Sequence, residues 1–314
     1  MRYGPADSTK TPRFTGPRTF MRLPHVQTTE EVDVAVVGIP IDDAVSFRSG
    51  ARFGPEAIRS ASVLLRPYNP ALKVDVSERL SMVDYGDAPS VPGYHEETLA
   101  RIQVFLEPLH KAGVTPLCIG GDHSMALGEL RAAAKVHGPL ALVHLDAHSD
   151  VWDSYFGIRY FHGTVFRRAA EEGLIDPGRS VQAGLRGTLY GADDEREPAR
   201  LGFEALTWEQ LKDIPPDEYG ERVRARVADS PAFLSFDVDF VDPAFAPGTG
   251  TPEIGGPTSG QAMSYLRALT GIDFRGFDCV EVCPAFDPSG TTAYLAANAC
   301  FEMLSLKALS KRRL

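Results

Sequence analysis

The 314-residue chain has few cysteines, no long apolar run and no excess of basic charge. Its four cysteines, Cys118, Cys279, Cys283 and Cys300, form no zinc-spaced pair of CxxC motifs, so packing thiols in a reducing compartment are expected. No apolar stretch is long enough to span a membrane, and the start lacks a charged segment followed by an apolar signal core, so a cytoplasmic protein without a membrane partner is expected. With 42 acidic against 32 basic residues the formal charge is -10, which argues against a nucleic-acid partner and is compatible with a cationic small molecule. Residues 30 to 310 contain no Ser/Gly-rich linker and no internal repeat. A polar arm over residues 1–30, lying over the surface or towards a neighbouring subunit, followed by one catalytic domain over 31–314 is therefore expected.

Metal-ligand residue types, by contrast, are concentrated in three short segments: GGDHS at 120–124, HLDAHSD at 144–150 and SFDVD at 235–239. Each follows a run that reads as a buried parallel strand, VTPLCIG, PLALVHL and AFLSF. In an open parallel sheet ligands gather beyond the carboxyl ends of strands, so distant segments can converge there. Period-two alternation predicts that Asp146 and His148 share a face, with Asp150 following if the strand end stays extended, and that Asp237 pairs likewise with Asp239. A lone DxD is as readily a helix cap, and a lone histidine a hydrogen-bonded core residue. Three clusters at three strand ends point instead to metal.

The candidate ligands are His123, Asp146, His148, Asp150, Asp237 and Asp239. Four carboxylates and two imidazoles without a thiolate favour manganese, with other divalent ions not excluded, and two ions per subunit would suit activation of a shared water. Strand candidates at 32, 115, 139, 180, 232 and 276 alternate with helical stretches starting at 54, 95, 124 and 220, with a last helix from Thr292 to about Lys311. That order predicts a three-layer α/β/α sandwich with a mostly parallel sheet.

GGDHS, HLDAHSD, HGT at 162–164, SFDVDFVDPAFAPGTGTPEIGG and GFDCVEVCPAFDPSG, with SFRSGARFGPEAIR at 46–59, resemble the signatures of the ureohydrolase (arginase and agmatinase) superfamily, in its agmatinase-like branch. The resemblance runs from about residue 30 to the C-terminus and implies the arginase-like fold, with assembly into homotrimers or homohexamers. It implies one manganese on His123, Asp146, Asp150 and Asp237 and another on Asp146, His148, Asp237 and Asp239, with Asp146 and Asp237 bridging. It further implies His162 as the proton-shuttling loop histidine and Glu281 as the glutamate that holds the guanidinium in a two-pronged pair.

The expected reaction is hydrolysis of a guanidino compound to urea and an amine, with agmatine first and a guanidino acid such as 4-guanidinobutyrate or 3-guanidinopropionate as the alternative. Arginine ranks third, because the arginase pattern that reads an α-amino acid is missing; a deacetylase-like metallohydrolase and a non-catalytic relative rank lower. The segment VWDSYFGIRYF, 151–161, is the candidate tail-binding wall, in which Asp153 could read an ammonium and Arg159 a carboxylate. Cys279 and Cys283 flank Glu281 and are expected to share a strand face with it.

Overall fold

The computed structural model describes residues 2–310. Strands are β1 Val34–Ile39, β2 Tyr68–Asn69, β3 Val74–Asp75, β4 Met82–Asp87, β5 Thr115–Gly120, β6 Ala141–Leu145, β7 Val181–Leu185, β8 Glu204–Thr207, β9 Ala232–Asp237 and β10 Phe274–Val280. Helices are α1 Gly54–Ser62, α2 Val76–Arg79, α3 His95–Lys111, α4 Ala126–His137, α5 Val165–Glu171, α6 Ala192–Leu201, α7 Trp208–Leu211, α8 Pro216–Val227, α9 Ser259–Arg267 and α10 Thr291–Ser310.

Eight strands form one sheet in the order β4-β1-β5-β10-β9-β6-β7-β8, and every pairing in it is parallel. Alternate residues of β1 feed two apolar clusters: Val34 and Val36 pack with residues of α1, α8, α9 and α10, whereas Ala35 and Val37 pack with residues of α3, α4 and α5. Central strands buried on both faces read as continuous apolar runs, which is why β1, β5, β6 and β9 were visible in the sequence. The expected three-layer sandwich is present.

Besides the short pair β2 and β3, two strands of the main sheet were not anticipated. β4 reads MVDYGD and β8 reads EALT; both are edge strands, and polar or partly exposed positions interrupt their apolar pattern. The last helix is described as far as Ser310, and the expected end near Lys311 lies outside the described residues. Of the segment expected as an arm, residues 19–23 are held against this chain's own core: Phe20, Met21 and Leu23 are buried, and the Phe20 N–H donates to Asp84 and the Met21 N–H to Ser62. No helix among the described residues is long and apolar enough to cross a membrane.

Candidate metal centre

The four strands β5, β10, β9 and β6 are neighbours in the middle of the sheet, so the turns that follow them meet at its carboxyl edge. Turns, not the strand pleat, present every candidate ligand but Asp237, which corrects the alternation expected from the sequence. Asp237 is the last residue of β9, and Asp239 lies in the following 3-10 turn, where its N–H donates to Asp237 Oδ1 at 2.8 Å. The segment Asp146 to Asp150 lies beyond β6, and Asp150 takes a left-handed φ of 52° rather than staying extended. Held in a region that costs a non-glycine residue energy, Asp150 is turned back towards its neighbours.

The structure brings all six residues together. His123 Nδ1 lies 3.0 Å from Asp150 Oδ2, 3.2 Å from Asp146 Oδ2 and 3.4 Å from Asp237 Oδ2. His148 Nδ1 lies 3.0 Å from Asp239 Oδ2 and 3.5 Å from Asp146 Oδ1. Asp146 therefore turns one oxygen towards each histidine, the disposition a bridging carboxylate needs. Two donor groups able to hold a cation result, His123, His144, Asp146 and Asp150 in one, and Asp146, His148 and Asp239 in the other.

The chemistry of this donor set fits a pair of divalent ions. Burial, then the charges of Asp239 and Asp146, push the Asp237 carboxyl well up, and burial with Asp146 pushes Asp239 up to about 7. Burial opposes charge on His123, but the carboxylates of Asp146, Asp150 and Asp237 outweigh it and raise that imidazole well above its usual range. The candidate ligand nitrogen His123 Nδ1 is buried without a hydrogen-bond partner among the described residues. Positive charge placed among these carboxylates would offset their mutual repulsion and meet that nitrogen's lone pair.

Beside the cluster stands Glu281, 1% exposed, in a left-handed conformation at φ 65° just past the end of β10. Its Oε1 accepts from the His123 N–H at 2.9 Å and lies 3.2 Å from His162 Nδ1. Its Oε2 is buried and unpartnered. A Cβ on Gly250 would come within 3.2 Å of that oxygen, so glycine leaves the space before it open. The Ser46 N–H donates to His162 Nε2 at 3.1 Å, which fixes Nε2 as the acceptor of the neutral ring and puts its hydrogen on Nδ1, towards Glu281. Burial opposes protonation of His162, but the Glu281 carboxylate outweighs it and raises the imidazole above its ordinary value.

Asp153 and Arg159 are not brought to the centre, contrary to the tail-reading roles expected for them. Asp153 accepts from Arg168 Nη2 at 2.8 Å, and Arg159 Nη2 donates to Glu171 at 2.8 Å, so each would have to leave an ion pair on the outer face to meet a substrate. The shared strand face of Glu281 and the two thiols is also corrected: β10 ends at Val280, so Cys279 is within the strand while Glu281 and Cys283 lie beyond it. Sequence reasoning missed His144, whose place two residues before Asp146 on a strand was a usable signal. It also missed Arg186, which donates to the backbone carbonyls of Asp239, Phe240 and Glu253 and braces the turn that carries Asp239.

The family model of the Arginase family matches residues 32–305. The chain belongs to the Arginase family. Guanidinobutyrase of Pseudomonas aeruginosa is 45% identical to this Arginase family chain, over 96% of it and 95% of that protein. The mitochondrial agmatinase of Gallus gallus is 43% identical over 93% of the chain and 86% of its own length. The solved structure of proclavaminate amidino hydrolase from Streptomyces clavuligerus matches with a TM-score of 0.92 and 40% identity, covering 96% of this chain and all of that one (100%).

Proposed function

We propose that the chain is a dinuclear ureohydrolase that cleaves a C–N bond of a linear guanidino compound, with agmatine as first substrate and putrescine and urea as products. The observation that carries this reading is the buried Glu281 Oε2 beside the donor cluster, a carboxylate oxygen with no hydrogen-bond partner among the described residues. A guanidinium would donate to it. Because Oε1 is engaged by His123 N–H and His162, one oxygen rather than both is open to the substrate, so the two-pronged pair expected from the resemblance becomes a single charge-assisted hydrogen bond.

His123, Asp146, Asp150 and Asp237 would hold one ion and Asp146, His148, Asp237 and Asp239 the other, with manganese as the first assignment. Divalent ions held there would supply water activated as a nucleophile near neutral pH. His162 then supplies the proton that the departing amine needs. On protonation its Nε2 gains an in-plane hydrogen that Ser46 Oγ, 2.8 Å away, can accept in place of the donation from the Ser46 N–H, so a partner is at hand for either state of the ring.

A wall of aromatic rings runs outward from His162 and suits the methylene chain of such a substrate. Phe161 lies 5.6 Å from His162, Tyr155 5.6 Å from Phe161, and Trp152 5.0 Å from Tyr155. For the far end, Glu253 offers a half-buried carboxylate 3.8 Å from His148 Nε2, which favours an ammonium and hence agmatine. A guanidino acid is the second reading. The guanidinobutyrase relative favours it, as does Arg48, whose guanidinium lies 4.8 Å over Phe286 with no ion pair among the described residues. A cytoplasmic setting fits the four buried free thiols. Comparing kcat/KM for agmatine and 4-guanidinobutyrate in Glu253→Gln and Arg48→Ala separates the readings. Agmatine turnover should fall in the first variant only, and a loss confined to 4-guanidinobutyrate in the second would transfer the assignment to the acid.

A further inference from the structure

One residue layer beneath the donor cluster, strand register aligns four polar residues across the sheet. Asp278 of β10 faces Ser235 of β9, Ser235 faces His144 of β6, and His144 faces Gln182 of β7. All four are fully buried, where a polar side chain is costly unless its hydrogen bonds are made. Neighbours at one level of a parallel sheet point to the same face, so the row forms a continuous polar floor in an otherwise apolar layer.

We infer that this row is a positioning layer that fixes the donor atoms of His123 and Asp146 for metal. At one end Ser235 Oγ donates to Asp278 Oδ1 at 2.7 Å, so the hydroxyl is left to accept from His123 Nε2, 2.8 Å away. The hydrogen of the neutral His123 ring is thereby held on Nε2, and Nδ1 presents its lone pair among the carboxylates.

At the other end Gln182 Nε2 donates to the Ser149 carbonyl at 2.6 Å, which identifies that atom as the amide nitrogen, and its second hydrogen meets His144 Nδ1 at 3.1 Å. His144 Nδ1 therefore accepts, and Nε2–H donates to Asp146 Oδ2 at 2.7 Å. His144 belongs to the donor group by distance, yet its hydrogen points at the carboxylate. It steadies Asp146 instead of ligating. Groups that orient ligands from behind typically change metal affinity by about 10- to 100-fold.

The inference rests on the proposed dinuclear reading, and the test keeps the two apart. Manganese affinity and stoichiometry are measured by calorimetry on metal-free wild type, Ser235→Ala, Asp278→Asn, their double variant and Gln182→Met, with the melting temperature of each metal-free protein. Ser235→Ala and Gln182→Met should each weaken one of the two ions about 10- to 100-fold while the metal-free melting temperature changes little. Asp278→Asn, which still accepts from Ser235, should lose less. The double variant should bind no more weakly than Ser235→Ala alone, because both changes cut one chain in series. Wild-type affinity in Ser235→Ala and Gln182→Met overturns the inference, as does a metal-free melting temperature that drops in both, which would mark a structural row. If Ser235→Ala does not fold, Asp278→Asn and Gln182→Met carry the same decision. Wild type that binds no ions overturns the dinuclear reading itself.

Discussion

Glu281→Gln changes one charge at the point where the proposed chemistry is most exposed to failure. In the wild type Oε1 is committed to the His123 N–H and to His162, so the amide carbonyl of the variant takes that place and its NH2 group occupies the position of Oε2. A donor then faces the N–H groups of a guanidinium where an anionic acceptor stood. A hydrogen bond to a charged group contributes about 1.5–3 kcal/mol. With a factor of ten for about each 1.36 kcal/mol, kcat/KM should fall by about 10- to 150-fold at least. Ion content should stay at the wild-type level, because Glu281 is not one of the six candidate ligands and the amide carbonyl of the variant still accepts from the His123 N–H. The carboxylate is also what raises His162, so its loss should move the limb of the pH–rate profile governed by that histidine to lower pH. Urea release at several pH values, with elemental analysis of the same samples, reads all three quantities. Near wild-type kcat/KM, or a loss of metal equal to the loss of rate, would refute the reasoning.

Chelation should abolish urea release and manganese should restore it; activity that survives complete metal removal contradicts the dinuclear reading. His123→Ala and Asp237→Asn should each lower ion content together with turnover, measured by elemental analysis and initial rates. His162→Ala should slow urea formation with both ions still bound, and an unchanged pH–rate profile would argue against its role as proton shuttle. Away from the centre, burial, assisted by His137, lowers the His110 imidazole to about 3. The unfolded chain, with a histidine near 6.5, binds the extra proton first, so His110 costs stability progressively as pH falls from about 6.5 to about 3. His110→Leu should therefore move the acid-unfolding midpoint, followed by circular dichroism, to lower pH.

The elements that were legible in the sequence are those whose physics is local or repeated. β5, β6 and β9 are buried on both faces and so are apolar throughout, and the clustered Asp and His residues stand immediately after them. Edge strands β4 and β8 lack that signal because they are only partly buried. What an i, i+2 pattern cannot encode is the turn that follows a strand, and so it missed the left-handed Asp150 and the 3-10 turn around Asp239. Nor does it show partners distant in the chain. Asp153 looked available until Arg168 was folded against it, and Gln182 carried no signal until strand pairing set it beside His144.

The most direct test of the central claim is product analysis: urea and putrescine formed from agmatine by the protein loaded with two manganese ions per chain, beside arginine, 3-guanidinopropionate, 4-guanidinobutyrate and free guanidine. The account predicts urea and amine in equal amounts from agmatine, dependent on the metal and on Glu281. Two ions bound with no urea from any of these compounds would contradict it.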